Sequence, residues 1–360
     1  MRVLFCGGGT AGHVNPAIAV AQTIMRNSSN SKVAYVVTNN GIENTLVDFK
    51  KYCVDVIGLK RALTVKNFSF VAKQLKAIDK CKEFIRAFHP DVIFGTGGYA
   101  TFPVIYAGSK MGIKTVLHES NVIPGKAILA LEKKVDKICV NFEESAEYFR
   151  HKEKIIHTGN PLRCGFSNTN KEEARKELEI TQRYVILLTG GSLGAERMNN
   201  AAIEIVDNLI SLRKDIFFVW SAGKKEYEKA MARIKERKVK IPNNVLIKDY
   251  FSDISKYISA SDLVISRAGA MTISELAYMK KATIFVPSPN VTNNHQLINA
   301  KTLEKAGAAL MLQESHIYNL IDLVKRVLED DFLRNSLEQG IGRYANADAN
   351  KIIYNLLNSL

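Results

Sequence analysis

The feature that most constrains the fold of this chain is a regular alternation of short apolar runs with longer stretches of helical periodicity. Short, continuous apolar runs are typical of parallel strands that helices cover on both faces. The first set of predicted strands is 3–6, 33–37, 54–57, 92–94 and 115–117. The second set is 184–188, 216–220, 245–247, 263–265 and 283–286. The sequence therefore predicts an α/β chain with two doubly wound parallel-sheet domains.

A length of 360 residues suits two domains of roughly 150 residues each. The alternation breaks in a polar segment near residues 161–170, so we predict a first domain at 1–162 and a second at 163–345. The last segment, about 346–360, places its apolar residues on one helical face. That helix is able to close either domain, and the predicted plan packs it back on the first.

Composition limits the class of protein and the kind of partner. A hydrophobic content of 46% with 24% charged residues is that of a soluble globular protein. The net charge of +14 favours an anionic partner: nucleic acid, a phosphorylated small molecule or an acidic membrane surface. Five scattered cysteines without a CxxC pair argue against a disulfide framework and a zinc site, and favour a reducing compartment. No apolar run approaches the roughly 18–20 residues of a spanning helix, so we expect a cytoplasmic chain that meets a membrane only from its surface.

Three glycine-rich segments follow predicted strands, at 7–12, 95–98 and 190–194. Open α/β sheets bind ligands at the carboxyl ends of their strands, where glycine amides at a helix start approach an anion closely. Residues 7–12 also fit the GxGxxG dinucleotide pattern, but the second strand runs out at 37–40 without the carboxylate that a nicotinamide cofactor requires. Any one segment can be a tight turn; three together favour a ligand site.

Several polar residues also lie at a helix start or just after a predicted strand, where a ligand would bind. His13 stands at a helix start, where the helix dipole favours a neutral ring able to act as a base, although a capping or packing role is equally open. The cluster at 118–121 either binds a ligand or knits loops together. In the segment 266–275, Glu275 lies within reach of a ribose diol, and Arg267 suits a diphosphate. Thr272 with Glu275 also fits a capping box. The amide-rich loop at 287–296 suits a sugar or an exposed turn.

Taken together, these segments resemble the MurG family of GT-B glycosyltransferases. The resemblance rests on GGGTAGHVNPAIAV at 7–20, GTGGYATFPV at 95–104, HESNVIPG at 118–125, GNPLR at 159–163, GGSLGA at 190–195, SRAGAMTISE at 266–275, and NNHQLINA and LEKAGAA near the end. It implies two Rossmann-like domains facing a cleft, an inverting mechanism and no essential metal or other cofactor.

The implied reaction moves N-acetylglucosamine from UDP-N-acetylglucosamine (UDP-GlcNAc) to the C4 hydroxyl of the N-acetylmuramoyl residue (MurNAc) of lipid I, undecaprenyl-diphospho-MurNAc-pentapeptide. The product is lipid II, so the chain is expected in peptidoglycan synthesis, and hence in cell shape and division, as a peripheral protein on the cytoplasmic face of the membrane. The expected partners are UDP-GlcNAc, lipid I and an anionic membrane surface. Nucleic acid is not expected, and the resemblance leaves room for other cell-wall synthesis proteins.

The resemblance also assigns site residues by position. His13 is the candidate general base. The residues expected to contact UDP-GlcNAc are Thr10, Ala11, Gly12, Asn121, Arg163, Ser192, Phe251 through its backbone, Ala270, Met271, Thr272, Ile273, Ser274, Glu275 and Gln296, and Arg267 is added as a charge beside the diphosphate. The acceptor diphosphate is expected at Gly8, Gly9, Gly97, Gly98 and Tyr99. The sequence departs from common family residues at Ala11, Leu193 and Ala268, and Leu193 puts a side-chain contact to the nucleotide in doubt.

A basic amphipathic stretch at 60–86, between the third and fourth predicted strands, is the predicted membrane contact, through Phe68, Phe70, Lys73, Leu75 and Lys76. An ordinary packed helix with a solvated basic face is the alternative. Competing functions are a sugar-nucleotide epimerase, another UDP-sugar transferase and a nucleic-acid-binding module. The loops show no carboxylate pair suited to elimination and re-addition, as epimerisation needs, and no nucleic-acid-binding motif is recognisable.

Overall fold

The chain divides into two compact units, Met1–Gly165 with Asn346–Leu360, and Phe166–Ala345. The computed structural model describes residues 1–56, 67–163, 166 and 170–360, with the side chains of 67–72 and 292 excepted. Residue 57 of the predicted strand at 54–57 and half of the boundary segment at 161–170 lie outside the described residues.

The first unit is built on a seven-stranded parallel sheet. Its strands are β1 (Arg2–Cys6), β2 (Lys32–Thr38), β3 (Lys51–Val54), β4 (Val92–Gly95), β5 (Lys114–Glu119), β6 (Lys137–Val140) and β7 (Ile155–His157). They lie in the order β3-β2-β1-β4-β5-β6-β7, and all pairs are parallel. The helices that connect them are α1 (Ala11–Asn27), α2 (Glu43–Leu46), α3 (Asn67–Phe88), α4 (Thr101–Lys110) and α5 (Lys126–Leu131).

The central strand β1 shows why the sheet is covered on both faces. Val3 and Phe5 pack into one apolar cluster with residues of α1, whereas Leu4 and Cys6 pack into another with residues of α3 and α4. All four side chains are fully buried, since alternate residues of a strand point to opposite faces. The uninterrupted apolar run in the sequence is therefore the result of two cores on the two sides of one sheet.

The second unit repeats the plan with six parallel strands. These are β8 (Tyr184–Thr189), β9 (Ile216–Ser221), β10 (Val245–Lys248), β11 (Leu263–Ser266), β12 (Thr283–Phe285) and β13 (Leu310–Met311), in the order β10-β9-β8-β11-β12-β13. The helices are α6 (Lys171–Glu177), α7 (Glu196–Ile205), α8 (Tyr227–Glu236), α9 (Ile254–Ala260), α10 (Ala270–Tyr278), α11 (His295–Lys305), α12 (Leu320–Glu329) and α13 (Asp331–Gly342). Tyr184, Ile186 and Leu188 of β8 pack against apolar residues of α7, α8 and α12.

The last helix, α14 (Ala349–Ser359), belongs to the first unit. Its Ile353 and Leu357 are buried in the cluster that contains Val3 and Phe5. The Asn350 side chain donates hydrogen bonds to Thr23 Oγ1 of α1 at 3.0 Å and to the Leu162 carbonyl at 2.9 Å. The amphipathic face of this segment is thus covered by the sheet and by α1.

The predicted fold class is confirmed: both units are doubly wound, Rossmann-like parallel sheets. The predicted bounds of the third strand were wrong, because β3 spans Lys51–Val54 and not 54–57. Strands β6, β7 and β13 were not predicted. The edge strands β3 and β7 contain partly or fully exposed residues, and β13 has only two residues. Strands β3, β7 and β13 therefore show no fully buried run in the sequence.

Candidate functional site

The first glycine segment is a turn between β1 and α1, held against the turn that follows β4. Gly8 N donates to the Gly97 carbonyl at 3.2 Å, and Thr96 N donates to the Cys6 carbonyl at 2.9 Å. A Cβ on Gly98, whose φ is +79°, would lie 2.1 Å from the Gly8 carbonyl oxygen, so only glycine fits there. The structure thus brings two of the three predicted glycine segments together at the carboxyl ends of neighbouring strands.

His13 lies in the first turn of α1 and is half-buried. Its Nδ1 is 3.1 Å from the Gly8 carbonyl oxygen and 3.2 Å from Thr10 Oγ1. A carbonyl oxygen only accepts, so the bond to Gly8 places a proton on Nδ1 and leaves the basic lone pair on Nε2. Thr96 Oγ1 donates to the His13 carbonyl at 2.5 Å, which ties this helix turn to the second glycine segment.

The amides predicted to cradle the acceptor diphosphate are largely engaged within the protein. Besides the bond from Gly8, the Gly9 amide faces a carboxylate oxygen of Glu43 at 3.4 Å, and the Gly97 amide donates to Thr101 Oγ1 at 3.1 Å. The Tyr99 ring packs so close to Gly9 that a Cβ there would lie 2.9 Å from it. These loops are therefore held in shape by hydrogen bonds and packing within the protein.

The polar cluster at the end of β5 is buried. His118 is fully buried, and burial lowers its pKa from 6.5 to about 4. Burial also raises the pKa of the Glu119 carboxyl, although that group accepts hydrogen bonds from the amides of Asn121 at 2.9 Å and Gly125 at 2.8 Å. Asn121 Nδ2 donates to the same carboxylate at 3.2 Å. The predicted donor contact Asn121 is thus held in place by Glu119.

In the second unit, the turn after β8 is clamped by the turn after β9. Lys224 N donates to the Ser192 carbonyl at 3.1 Å, and Lys225 N donates to the Leu193 carbonyl at 3.3 Å. A Cβ on Gly194, whose φ is +88°, would lie 2.2 Å from the Ala222 carbonyl oxygen. The Ser192 and Leu193 side chains remain exposed.

The segment that follows β11 enters α10 at Ala270, with Gly269 as the N-cap residue. Thr272 therefore lies inside the helix, which excludes the capping-box interpretation of Thr272 with Glu275. Met271 and Ile273 are 9% and 1% exposed, so their side chains pack in the core and any ligand contact there is made by the backbone. Ser274 Oγ donates to the Ala270 carbonyl at 3.1 Å, while Thr272 and Glu275 are half-buried.

Arg267 is held in a buried ion pair. Its guanidinium donates to the Val286 carbonyl at 3.0 Å and to the Glu314 carboxylate at 3.3 and 3.4 Å. Both side chains are nearly buried, at 13% and 11% exposure. The pair connects the carboxyl ends of β11 and β12 to the segment after β13, so Glu314 offsets much of the charge expected to face a diphosphate.

The remaining predicted contacts are spread over other turns. Phe251 is 2% exposed, packs edge-on against Tyr257 at 4.6 Å, and has Lys248 Nζ 5.2 Å from its ring centre. Gln296, in the first turn of α11, accepts from Ser288 N at 2.9 Å. Arg163 is exposed near the end of the first unit's main segment.

Comparison with known proteins decides the family. Residues 3–140 match the glycosyltransferase family 28 N-terminal domain, and residues 185–348 match the family 28 C-terminal domain. A protein of Caldicellulosiruptor saccharolyticus, named UDP-N-acetylglucosamine–N-acetylmuramyl-(pentapeptide) pyrophosphoryl-undecaprenol N-acetylglucosamine transferase, is 39% identical over 91% of this chain and 88% of its own length. A protein of the same name from Thermoanaerobacter sp. is 35% identical over the whole of both chains. The crystal structure of Acinetobacter baumannii MurG superposes with a TM-score of 0.78, at 25% identity over 100% of this chain and 99% of that one. This chain belongs to the MurG family of glycosyltransferases.

The epimerase hypothesis has a structural counterpart in the fold alone. A putative UDP-N-acetylglucosamine 2-epimerase of Listeria monocytogenes superposes on 99% of this chain with a TM-score of 0.69, but at only 15% identity. The MurG family and such epimerases therefore share a two-unit architecture, and the fold by itself does not separate them.

Sequence reasoning missed three groups that support the glycine turns. Asn199 in α7 is fully buried, accepts from Trp220 Nε1 at 3.0 Å and donates to the Ala222 carbonyl at 2.9 Å, which anchors the clamp on the second-unit turn. Lys224 forms that clamp, with its Nζ 4.6 Å from the Tyr250 ring centre. Glu43 is a fully buried carboxylate beside Gly8 and Gly9. A polar residue at an apolar position of α7 was the signal for Asn199; the other two depend on contacts distant in sequence.

The predicted membrane residues lie on α3. Lys73, Leu75 and Lys76 are exposed, and Leu75 is 58% exposed. Phe68 and Phe70 belong to the same helix, but their side chains lie outside the described residues. The opposite face, with Ala77, Ile78, Cys81 and Ile85, is buried in the core.

Within the described residues, no helix combines the length and apolar character needed to cross a bilayer. The same part of the chain holds no cluster of three or more His, Cys, Asp or Glu side chains suited to a metal ion.

Proposed function

We propose that this chain transfers N-acetylglucosamine from UDP-GlcNAc to the C4 hydroxyl of MurNAc in lipid I, giving lipid II for peptidoglycan synthesis. The observation that carries the proposal is the 39% identity over 91% of the chain to a relative named for this transfer. The glycine turns and polar groups at the carboxyl ends of the strands in both units supply groups for the two substrates.

The donor is assigned to the second unit. The backbone of Phe251 reads the uracil, Glu275 takes the ribose hydroxyls, and the turn at Ser192 lies beside the diphosphate. The first amides of α10, from Ala270 onward, have no intrahelical acceptor and suit negative charge. The remaining contacts of the predicted set, at Thr10, Ala11, Gly12, Asn121, Arg163 and Gln296, complete the sugar nucleotide site.

Arg267 contributes a charge that Glu314 partly neutralises, which makes its role testable. A Glu314→Gln substitution keeps the shape of the pair and removes the negative charge. If the guanidinium faces the diphosphate, the variant binds UDP a few times more tightly at low ionic strength, and the gain shrinks as salt screens the charge. Titration calorimetry measures this, and an unchanged affinity would remove Arg267 from the diphosphate site.

In the proposed reaction, His13 Nε2 takes the proton of the C4 hydroxyl as that oxygen attacks the anomeric carbon of the donor. The new glycosidic bond forms while the bond to the UDP oxygen breaks, so the configuration inverts and UDP leaves with the electron pair. Amides and cationic side chains near the diphosphate stabilise the departing charge. The base and five of the proposed donor contacts belong to the first unit, namely Thr10, Ala11, Gly12, Asn121 and Arg163, and the other donor contacts belong to the second.

The direct test uses labelled UDP-GlcNAc and a lipid I analogue in the presence of a chelator. The expected product is the lipid-linked disaccharide, with UDP-glucose as a parallel donor that reacts poorly. Conversion of UDP-GlcNAc to its 2-epimer, or preference for another sugar nucleotide, would overturn the proposal. His13→Ala is expected to lower kcat by about 10²–10⁴-fold, the usual worth of a general base. His151→Ala, at an exposed histidine of the same unit, is the matched control.

Membrane attachment is proposed through the exposed side of α3. Lys80 and Lys82 pair with Glu83 and Asp79 at 2.6 and 2.8 Å, so Lys73 and Lys76 beside Leu75 are the residues offered to lipid. Each lysine near an anionic surface contributes about 1 kcal/mol. Reversing both to Glu is therefore expected to weaken sedimentation with phosphatidylglycerol vesicles by more than about tenfold.

The matched control for membrane binding reverses Lys235 and Lys240 to Glu, since both are exposed and lie in the second unit. This pair changes the net charge by the same amount without touching α3. Equal losses for the two double variants would show that the net charge, and not the helix, governs binding.

A further inference from the structure

Glu43 is a buried carboxylate that has no role in the proposed reaction. It is fully buried at the start of α2, just beyond the end of β2. Its Oε1 accepts from Thr38 N at 3.1 Å and from Thr38 Oγ1 at 2.6 Å, and its Oε2 faces Gly9 N at 3.4 Å. Three donors around two oxygens form the environment of a carboxylate.

The Gly8–Gly9 peptide group links this carboxylate to His13. The N–H of that peptide, on Gly9, points to Glu43 Oε2, whereas its carbonyl, on Gly8, accepts from His13 Nδ1 at 3.1 Å. The carboxylate and the imidazole therefore hold the two ends of one peptide group. Space for the carboxylate depends on glycine, because a Cβ on Gly8 or Gly41 would lie 2.8 or 2.0 Å from Glu43 Oε1.

We propose that Glu43 is a positioning residue that acts on His13 through the Gly8–Gly9 peptide. A negative charge at the N–H end of a peptide polarises it and makes its carbonyl a stronger acceptor. The stronger carbonyl fixes the proton on Nδ1, leaves the basic lone pair on Nε2 and stabilises the imidazolium that forms when the base takes a proton. A carboxylate bonded directly to a histidine has the same effect in hydrolytic triads; here a peptide group lies between the two.

The charge of Glu43 is what points to this role. A glutamine of the same shape has a single accepting oxygen and would set its NH2 group against Thr38 N or Gly9 N, so only a carboxylate accepts from both. The charge also lies beside the turns proposed to meet the acceptor diphosphate, where a negative group opposes binding. The carboxylate therefore lies where its charge acts on His13 through the two ends of the Gly8–Gly9 peptide.

The other titratable groups around this turn do not compete for that effect. The Tyr35 hydroxyl donates to the Gly7 carbonyl at 3.0 Å, and burial raises the pKa of Tyr35 well above its usual range. Burial likewise raises the pKa of the Cys6 thiol. Tyr99 packs its ring against Gly9. Tyr35 and Cys6 therefore stay neutral while His13 titrates.

The first test is histidine NMR on the full chain, and it needs no substrate. In the wild type, correlation of the ring nitrogens with the ring protons is expected to show His13 with its proton on Nδ1. In Glu43→Gln, the pKa of His13 is expected to fall by about 0.5–1 unit, because the imidazolium loses a stabilising charge. A wild-type proton on Nε2, or a pKa shift within 0.1 unit in the variant, overturns the proposal. The tautomer test stands even if the variant does not fold.

The second test is kinetic and rests on the proposed function. Glu43→Gln is expected to lower kcat about 3–10-fold, to leave both KM values within twofold, and to move the acid limb of the kcat profile to lower pH. Glu132→Gln is the matched control, since Glu132 is 6% exposed, lies in the same unit and accepts from His151 N, away from the glycine turns. Equal effects of the two variants would contradict the proposal. If the wild type transfers no sugar but the NMR results hold, the proposed function fails while the link between Glu43 and His13 stands.

Discussion

His118 gives the sharpest prediction for stability, because its ring is buried in the neutral form. It is fully buried at the end of β5, with Nε2 3.2 Å from the Gly159 carbonyl oxygen and Nδ1 3.5 Å from the Ser120 hydroxyl. The carbonyl accepts from Nε2–H and the hydroxyl donates to Nδ1, so the neutral ring has a partner for each nitrogen. Burial lowers the pKa of His118 from 6.5 to about 4.

The sign of the pH effect follows from where each state takes up the proton. Below about pH 6.5 the unfolded chain protonates this histidine, whereas the folded chain does so only near pH 4. The stability that the neutral ring provides is therefore complete above pH 6.5 and is lost as the pH falls toward 4. Between pH 7 and pH 5 the loss is about 2 kcal/mol, or roughly 30-fold in the unfolding equilibrium.

The assay is urea unfolding of wild type and His118→Gln from pH 7.5 to 4.5. The one tryptophan, Trp220, lies in the second unit, so fluorescence follows that unit and serves as an internal control. Circular dichroism follows both units, and the part of its transition that fluorescence does not report belongs to the first. The glutamine offers an amide donor to Gly159 and does not titrate. The stability advantage of the wild type should shrink by about 2 kcal/mol between pH 7 and pH 5, and parallel curves would refute the reasoning.

Two further substitutions test the turns themselves. Asn199→Ala leaves the Trp220 N–H and a buried carbonyl without their partner, so the second unit should lose about 2–5 kcal/mol of unfolding free energy, measured by fluorescence; a loss below about 1 kcal/mol would contradict the assignment. Gly98→Ala places a Cβ 2.1 Å from a backbone oxygen and should lower kcat/KM at least about tenfold, whereas Gly112→Ala, with a similar φ of +74° and no atom within 4 Å, separates the clash from the backbone strain. Similar losses of activity in both glycine variants would show that strain alone is responsible.

The fold was largely predictable because its central strands are buried on both faces. Each residue of Val3–Cys6 in β1 must be apolar, and the same holds for most of β8, so the sequence shows unbroken runs there. The edge strands follow another rule. In β3, Lys51 and Cys53 are exposed while Val54 is buried, and this partial pattern does not distinguish a strand from an adjacent loop, which explains the shifted prediction.

The glycine turns were predictable for the same local reason, but their partners were not. A strand, a glycine turn and a helix are adjacent in sequence, whereas Glu43 is 34 residues from Gly9 and Glu314 is 47 residues from Arg267. The first contact follows from the parallel register of β1 and β2, in which Phe5 lies opposite Tyr35 and brings the ends of both strands to one edge. No spacing rule within the sequence carries that information, because it arises only when the sheet forms.

The hydrogen bonds within the glycine turns of the first unit limit which amides are able to bind an acceptor diphosphate. The Gly8 and Gly97 amides already donate within the protein, and Gly9 N–H faces Glu43, so an anion that displaced these bonds would leave a carbonyl, a hydroxyl or a carboxylate without its donor at a cost of about 1–3 kcal/mol each. The first amides of α1, at Ala11 and Gly12, have no such cost, because a helix start leaves its N–H groups without intrahelical acceptors, and they suit the donor contacts proposed for them. An acceptor diphosphate that binds at the glycine turns is therefore expected to leave these three internal hydrogen bonds in place.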